Sequence, residues 1–381
     1  MDSKHEDKAP HRLEIPGIRG LKESVIASRF LWKTIIVISI VAALALLVIS
    51  GCGGDGESAE VYVKGAESLI EDGQYEQAIA DCDKAIELDP DDASAYNTRA
   101  RAHFNLGQYE QAIADCNKAI ELDPGYVSAY EGRASSYSEL GKYQEAIADC
   151  SKAIELEPSY ASAYETRGIC YGRTDRAKLA IADFNKAIEL DPDYAAAYYS
   201  RGVAYDELEQ YQEAIADYSK AIELDPDYAS AYLNRASDYY YELDLYEETI
   251  ADCTKVIELD PTMTDAYLLR GSAYTELGQG EKDIADCTTA IEVDPDNAKA
   301  YAYRAGAYWY LEQFDEAIAD YTKAIELDPN YAHAYYSRGL TYYYEMDQPD
   351  NAKADLIKAV ELDPSLEKAK EVLHELGVPG Y

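Results

Sequence analysis

Eight arginines and nine aspartates recur at fixed places along this chain, and theirs is the chemistry that needs explaining first. Arg99, Arg133, Arg167, Arg201, Arg235, Arg270, Arg304 and Arg338 follow one another at intervals of 34 or 35 residues. Asp81, Asp115, Asp149, Asp183, Asp217, Asp252, Asp286, Asp320 and Asp355 keep the same step. Guanidinium groups facing solvent in a row would bind phosphates or carboxylates; facing aspartates, they form an internal ladder of ion pairs. The first unit has Gly65 where the others have Arg, and it alone has no unit before it. This coincidence predicts that each Arg reaches the Asp of the preceding unit, Arg99 to Asp81 and so on to Arg338 with Asp320.

Cys82, Cys116, Cys150, Cys253 and Cys287 recur too, and invite a metal or disulfide reading. All five occupy one apolar stripe, and equivalent places in stacked helix pairs lie about 10 Å apart. A disulfide needs Cα atoms within about 7 Å, so these cysteines, with Cys170, read as small buried packing residues. The histidines, His5, His11, His103, His333 and His374, stand in no metal-ligand spacing. No phosphate-cradling glycine loop, nucleophile elbow or zinc-protease motif occurs. No catalytic residue, metal ligand or cofactor is assigned, and the chain reads as non-enzymatic.

The elements that carry these residues are written in repeated text. "YEQAIADCDKAIELDP" ends at Pro90, "YEQAIADCNKAIELDP" at Pro124 and "YQEAIADYSKAIELDP" at Pro226. Nine prolines mark the same point of the unit: Pro90, Pro124, Pro158, Pro192, Pro226, Pro261, Pro295, Pro329 and Pro364. A period in this range signals a stacked array in place of two or three globular cores. In residues 93–126, Tyr109, Ala112, Ile113, Cys116, Ala119 and Ile120 form one helical stripe that Pro124 stops. Tyr96, Ala100 and His103 form a shorter stripe before it, and Gly107 between them suits a left-handed helix cap. Neither helix buries its stripe alone, so each hairpin depends on the next.

Tyr96, Ala100, Leu106–Gly107, Tyr109, Ala112, Ala119 and Pro124, repeated over about 59–366, resemble the tetratricopeptide repeat. The resemblance implies an all-α solenoid, a right-handed superhelix of nine units: 59–92, 93–126, 127–160, 161–194, 195–228, 229–263, 264–297, 298–331 and 332–366. Residues 367–381 resemble the helix and tail that commonly cap such arrays. The turn glycine becomes Asp175, Glu209, Asp244, Glu312 or Asp347 in five units. The seventh unit has Gly280 for the turn aromatic and Asp283 for a packing alanine, which predicts loose packing there. Units six and nine each hold one extra residue, expected to bulge the first helix.

In that family ligands contact the first helices at places two, five, nine, twelve and thirteen. Here those places are polar early, as in Ser94, Asn97, Arg101 and Asn105. They turn aromatic and apolar later: Tyr199, Leu233, Tyr240, Tyr241, Leu268, Trp309, Tyr310, Tyr336, Leu340, Tyr343 and Tyr344. Tyrosine and tryptophan are residue types that supply binding hot spots. The Lys/Asn clamp some members use for acidic C-termini is missing.

Residues 1–33 are polar, and Thr34–Ser50, "TIIVISIVAALALLVIS", carry no charge. Lys22, Arg29 and Lys33 precede this run and the next basic residue is Lys64, which places the N-terminus in the cytoplasm and the repeats outside. "ISGC", ending at Cys52, resembles the lipobox of bacterial lipoproteins; the resemblance implies cleavage before Cys52 and lipid on its thiol. An uncleaved anchor over 34–51 is the alternative. The glycine-rich stretch 52–58 suits a flexible tether.

The chain carries a net charge of −39; beyond residue 52 it has 27 basic and 68 acidic residues. Such a surface repels phosphate backbones, so nucleic acid is a poor partner. The expectation is a membrane-tethered scaffold on the extracytoplasmic side of a bacterial envelope. It would hold a protein or peptide partner mixing apolar and basic residues. A component of a pilus or secretion machine, and an envelope binder of a glycan or other small ligand, are the alternatives.

Overall fold

The computed structural model describes residues 58–380, which hold nineteen α-helices and no strand. Segment 34–51 and Cys52, on which the anchoring expectations rest, lie outside the described residues. Among the described residues no helix is long and apolar enough to cross a membrane, so the repeats contribute no span of the kind expected at 34–51.

Eighteen helices form nine hairpins. These are α1 (Ala59–Glu71) with α2 (Tyr75–Leu88), α3 (Ala93–Asn105) with α4 (Tyr109–Leu122), and α5 (Val127–Glu139) with α6 (Tyr143–Leu156). Next come α7 (Ala161–Gly172) with α8 (Ala177–Leu190), α9 (Ala195–Asp206) with α10 (Tyr211–Leu224), and α11 (Ala229–Tyr241) with α12 (Tyr246–Leu259). The last are α13 (Thr264–Glu276) with α14 (Gly280–Val293), α15 (Ala298–Tyr310) with α16 (Phe314–Leu327), and α17 (Ala332–Tyr344) with α18 (Pro349–Leu362). A short α19 (Glu367–Glu375) closes the array.

Local chemistry fixes each corner. Within a hairpin, Gly107 sits at φ 70° and Gln108 N–H returns to the His103 carbonyl, ending α3 in a left-handed cap. Asp175, Glu209, Asp244, Glu312 and Asp347 take the same positive φ, between 50° and 59°, at the cost a Cβ brings there. Between hairpins, the residue before the proline, Glu157 in the third unit and Asp in the others, is extended, as Asp123 is at ψ 96°. Its carboxylate then accepts the N–H two residues on, Asp123 Oδ1 from Gly125 at 2.9 Å.

The extra residue of units six and nine does not bulge a helix. Both first helices keep 13 residues, and the insertion lengthens the turn, where Leu245 N–H and Gln348 N–H return six residues to the carbonyls of Tyr239 and Tyr342. A turn residue adds no strain to the helical ladder, so the insertion settles there.

Small side chains bring the helices together. Ala78, Ala85, Ala112, Ala119, Ala146 and Ala153 are at most 1% exposed. In seven of the nine hairpins the cysteine place and the eighth place of the first helix are matched in size, the exceptions being Ala305 with Tyr321 and Gly271 with Cys287. Ala66, Ala100 and Ala134 stand in the hairpins of Cys82, Cys116 and Cys150, whereas Gly168 faces Phe184 and Gly202 faces Tyr218. A Cβ on Gly168 would stand 2.6 Å from the Phe184 ring, closer than carbon atoms approach. All six described cysteines are buried and free; desolvation pushes the thiols of Cys82 and Cys116 up to about 12.

First helices pack on the first helices of the next unit, most thinly from α9 to α11, while second helices make no comparable contact with each other. The first helices therefore line the inner face. At the end, α19 buries Ala369, Val372 and Leu373 against Leu356 and Val360. Burial of a Val or Leu contributes about 1.5–3 kcal/mol, enough to hold a nine-residue helix that would not persist alone.

Candidate interaction surface on the inner face

The charged ladder is internal, but its rungs run differently from the sequence expectation. Arg99 Nε and Nη2 donate to Asp115 of its own hairpin at 2.8 and 2.6 Å, and do not reach Asp81. The same two-pronged bond joins Arg133 to Asp149, Arg167 to Asp183, Arg201 to Asp217 and Arg235 to Asp252. It continues with Arg270 to Asp286, Arg304 to Asp320 and Arg338 to Asp355. Antiparallel pairing places the seventh residue of the first helix opposite the twenty-third of the unit, which excludes the preceding Asp. What crosses to the preceding unit is Nη1, from Arg99 to Asp83 at 2.6 Å and from Arg133 to Asn117 at 2.6 Å. In the first hairpin Asp81 lies beside Gly65 and is paired instead with Lys84 at 3.1 Å. Each ladder Arg also rests on a tyrosine of its own helix, Arg99 Cζ 5.5 Å from the Tyr96 centroid. The bonds to Asp115 hold the Arg99 guanidinium well above its usual range, so the charge is fixed. None of these groups is free for a ligand.

The eleven inner-face residues separate into four groups. Tyr241, Trp309, Tyr310 and Tyr344 are 61%, 45%, 48% and 52% exposed. Tyr199, Leu233 and Tyr240 are half-buried: Tyr199 stacks on Tyr228 at 4.9 Å, Tyr240 meets Tyr241 edge-on at 4.8 Å, and Leu233 packs by Ala236 and Cys253. Leu268 is 3% exposed in a cluster with Tyr267, Cys287 and Ala300, so it is a core residue and not a groove residue. Tyr336, Leu340 and Tyr343 pack on the cluster that α19 completes, and Tyr343 Oη donates to Glu375 at 2.8 Å. The capping helix thus covers part of the aromatic strip.

Between units six and nine the inner face opens into a cavity of about 590 Å³. Its walls are Tyr240, Tyr303, Trp309, Tyr310, Tyr321 and Tyr331. Glu276 and Asp283 supply its carboxyl groups, and no Lys or Arg lines it. His333 stands exposed at its rim, and partial desolvation by the surrounding groups holds the ring below its usual range. The loose packing expected at unit seven is absent. Leu311 lies over Gly280, 3.1 Å from where its Cβ would be, and Asp283 is 4% exposed in the space that Gly271 leaves. Asp283 accepts from Thr275 Oγ1 at 2.8 Å and from the Cys287 thiol at 3.2 Å. Tyr303 and Tyr331 escaped the sequence reading because they lie outside the groove places, Asp283 because it was read as a packing place, and Glu276 because, at place thirteen, it interrupts the aromatic and apolar run.

A second unforeseen feature joins α9 to α11. Tyr218 Oη donates to Asp206 Oδ2, and Asn234 Nδ2 reaches Tyr199 Oη at 3.3 Å and Tyr218 Oη at 3.5 Å. Asp238, 6% exposed, shares a hydrogen bond with Asp206, while Asp206 Oδ1 and Asp238 Oδ2 are buried with no other partner. Burial, with Asp206 and Glu242 beside it, pushes Asp238 up to about 8; burial raises Asp206 as well. The signal was present in the sequence, since Asp238 occupies a place that Ala102, Ser136, Ala204 and Ala273 fill elsewhere.

Sequence models described as tetratricopeptide repeat match residues 93–126, 127–160, 195–228, 229–263, 264–297 and 332–366. One described as TPR repeat matches 66–107, 177–209 and 307–345. Among curated proteins none matches this sequence. Among solved structures, the anaphase-promoting-complex hetero-tetramer Cut9–Hcn1 aligns with a TM-score of 0.53 at 17% identity, over 79% of this chain and 59% of its own. The C-terminal part of a TPR repeat-containing protein from Cytophaga hutchinsonii aligns with a TM-score of 0.51 at 22% identity, over 63% of this chain and 98% of its own. At these identities the likeness concerns the fold.

Proposed function

The chain belongs to the tetratricopeptide-repeat family, and on that premise we propose that it is a non-catalytic scaffold whose inner face grips a partner protein through units six to nine. Proteins of this family generally mediate protein–protein interaction and scaffolding. The observation that carries the reading is the set of four exposed rings on the inner face, Tyr241, Trp309, Tyr310 and Tyr344, of which Trp309 and Tyr310 line the 590 Å³ cavity. Exposed aromatic surface of this kind costs solubility unless something covers it. A stretch mixing apolar and basic residues suits a surface so rich in carboxylates.

We further propose that the scaffold is tethered at the outer side of a bacterial membrane, by lipid on Cys52. Support comes from the basic residues before the apolar run 34–50 and from the "ISGC" sequence that ends it. The partner reading is tested by placing a photo-crosslinking residue at Tyr344 on the inner face and at Gln111 on an outer helix. A discrete protein adduct from Tyr344 and none from Gln111 is the expected result. Equal labelling from both, or from Gln111 alone, refutes it.

A further inference from the structure

We infer that the cavity between units six and nine is a receptor for an arginine side chain of the partner, with Glu276 as its counter-charge; this rests on the scaffold reading above. The cavity's size falls in the range of ligand sites, and half of its lining residues are aromatic, Tyr240, Tyr303, Trp309 and Tyr310 among them. Its free charge is negative. Glu276 is exposed, and it stands close enough to Tyr240 to add to the rise that burial gives that phenol. Asp283, deeper, is occupied by Thr275 and Cys287, so Glu276 is the carboxylate available to a guest. Among the described residues no Lys or Arg lines the cavity, so the charge of Glu276 is uncompensated there.

The protein already shows which guest this chemistry holds. Eight of its own guanidinium groups lie on a tyrosine face with a carboxylate at the edge, from Arg99 on Tyr96 at 5.5 Å to Arg338 on Tyr335 at 5.9 Å. The cavity repeats those two ingredients, aromatic rings and one free carboxylate, without the arginine. A planar guanidinium stacks on rings and bonds a carboxylate with two donors, whereas an ammonium is held more strongly by water. Arginine is therefore the guest favoured over lysine.

Trp309 is the one tryptophan among the described residues, and it lines the cavity, so its fluorescence reports the site. The full chain in neutral detergent is titrated with an alanine-based nonapeptide bearing a central arginine, and with the same peptide bearing citrulline. Citrulline keeps the shape and loses the charge. The expected result is a saturable Trp309 change with arginine, an affinity at least fivefold weaker for citrulline, and no saturable change in Trp309→Phe. Glu276→Gln is expected to weaken arginine binding about fivefold or more and to leave citrulline binding unchanged. Equal affinity for the two peptides, no saturable response, or an unaffected Glu276→Gln overturns the inference. A partner that still crosslinks at Tyr344 after its arginines are replaced would sink this inference alone, whereas loss of the inner-face crosslink in the native pair sinks the scaffold reading.

Discussion

Replacing Asp238 by Asn should make the protein more stable at pH 8.5 and leave it nearly unchanged at pH 4. In the native state Asp206 and Asp238 face each other across α9 and α11, each with one buried oxygen unpartnered. Tyr218, Asn234, Glu242 and Tyr199 surround them, and none carries a positive charge. The pair is tolerated while it holds a proton. The unfolded chain releases that proton above about pH 4, so the native state binds more protons between about pH 4 and pH 8. Stability falls across that window as pH rises and is flat again above it. A move from 3.8 to about 8, at about 1.4 kcal/mol per pH unit, bounds the loss at about 6 kcal/mol. Separation of the thinly packed first helices relieves part of it, and about 2–3 kcal/mol is the effect expected on the chain. Asn removes one charge, and its amide donates to the orphaned Asp206 oxygen. Urea unfolding followed by circular dichroism at pH 4, 6 and 8.5 measures the difference between wild type and Asp238→Asn. Glu110→Gln, an exposed carboxylate removed, controls for the general relief of so acidic a chain. If the gap between wild type and Asp238→Asn does not widen with pH beyond that of the control, the shared-proton account is wrong.

Arg201→Met should destabilise by about 3–5 kcal/mol, because it leaves Asp217, 6% exposed, buried without a partner. Arg201→Met with Asp217→Leu should recover most of that loss, and equal urea midpoints for the single and double variants would refute the pairing. Gly168→Ala drives a Cβ into the Phe184 ring and should cost about 1–3 kcal/mol. Adding Phe184→Cys copies the Ala134 and Cys150 hairpin, so a double-mutant cycle should give a favourable coupling above about 1 kcal/mol; additive effects would dismiss the size match. Cys52→Ala should abolish lipid on the mature N-terminus, read by mass spectrometry and membrane fractionation. An unchanged N-terminal mass and membrane fraction would refute the lipid tether.

The helices, their hairpin pairing and the cap are legible in the sequence because each is signalled nine times over, by stripe, turn residue and proline. Repetition also hid what the period cannot distinguish. Asp81 and Asp115 stand 18 residues before and 16 after Arg99, and both recur with the same step, so spacing alone does not choose between them. Antiparallel geometry does, and it is a property of the folded hairpin. Place numbers likewise do not say how deep a side chain sits. Leu268 and Trp309 occupy groove places alike, yet Leu268 is sealed under Tyr267 while Trp309 stands at the cavity mouth. Departures from the repeat were the better guide to what is unusual: Asp238, Asp283 and Gly280 each replace the common residue, and each lies at or beside a feature the periodic text does not announce.

That the Arg–Asp bond and the match between Gly168 and Phe184 both close inside one hairpin has a consequence for how such a chain grows. A length of 34 residues carries its lock and its key together. Copying, deleting or transplanting a whole length keeps both of these fits intact, and at the joint Nη1 meets a hydroxyl, amide or carboxylate of the preceding length, as at Ser151, Asn117 and Asp83. A recombination point between the two helices would separate the halves of both fits at once. The molecule is thus built for lengthening by whole units, while the rings it presents to a guest are altered one residue at a time.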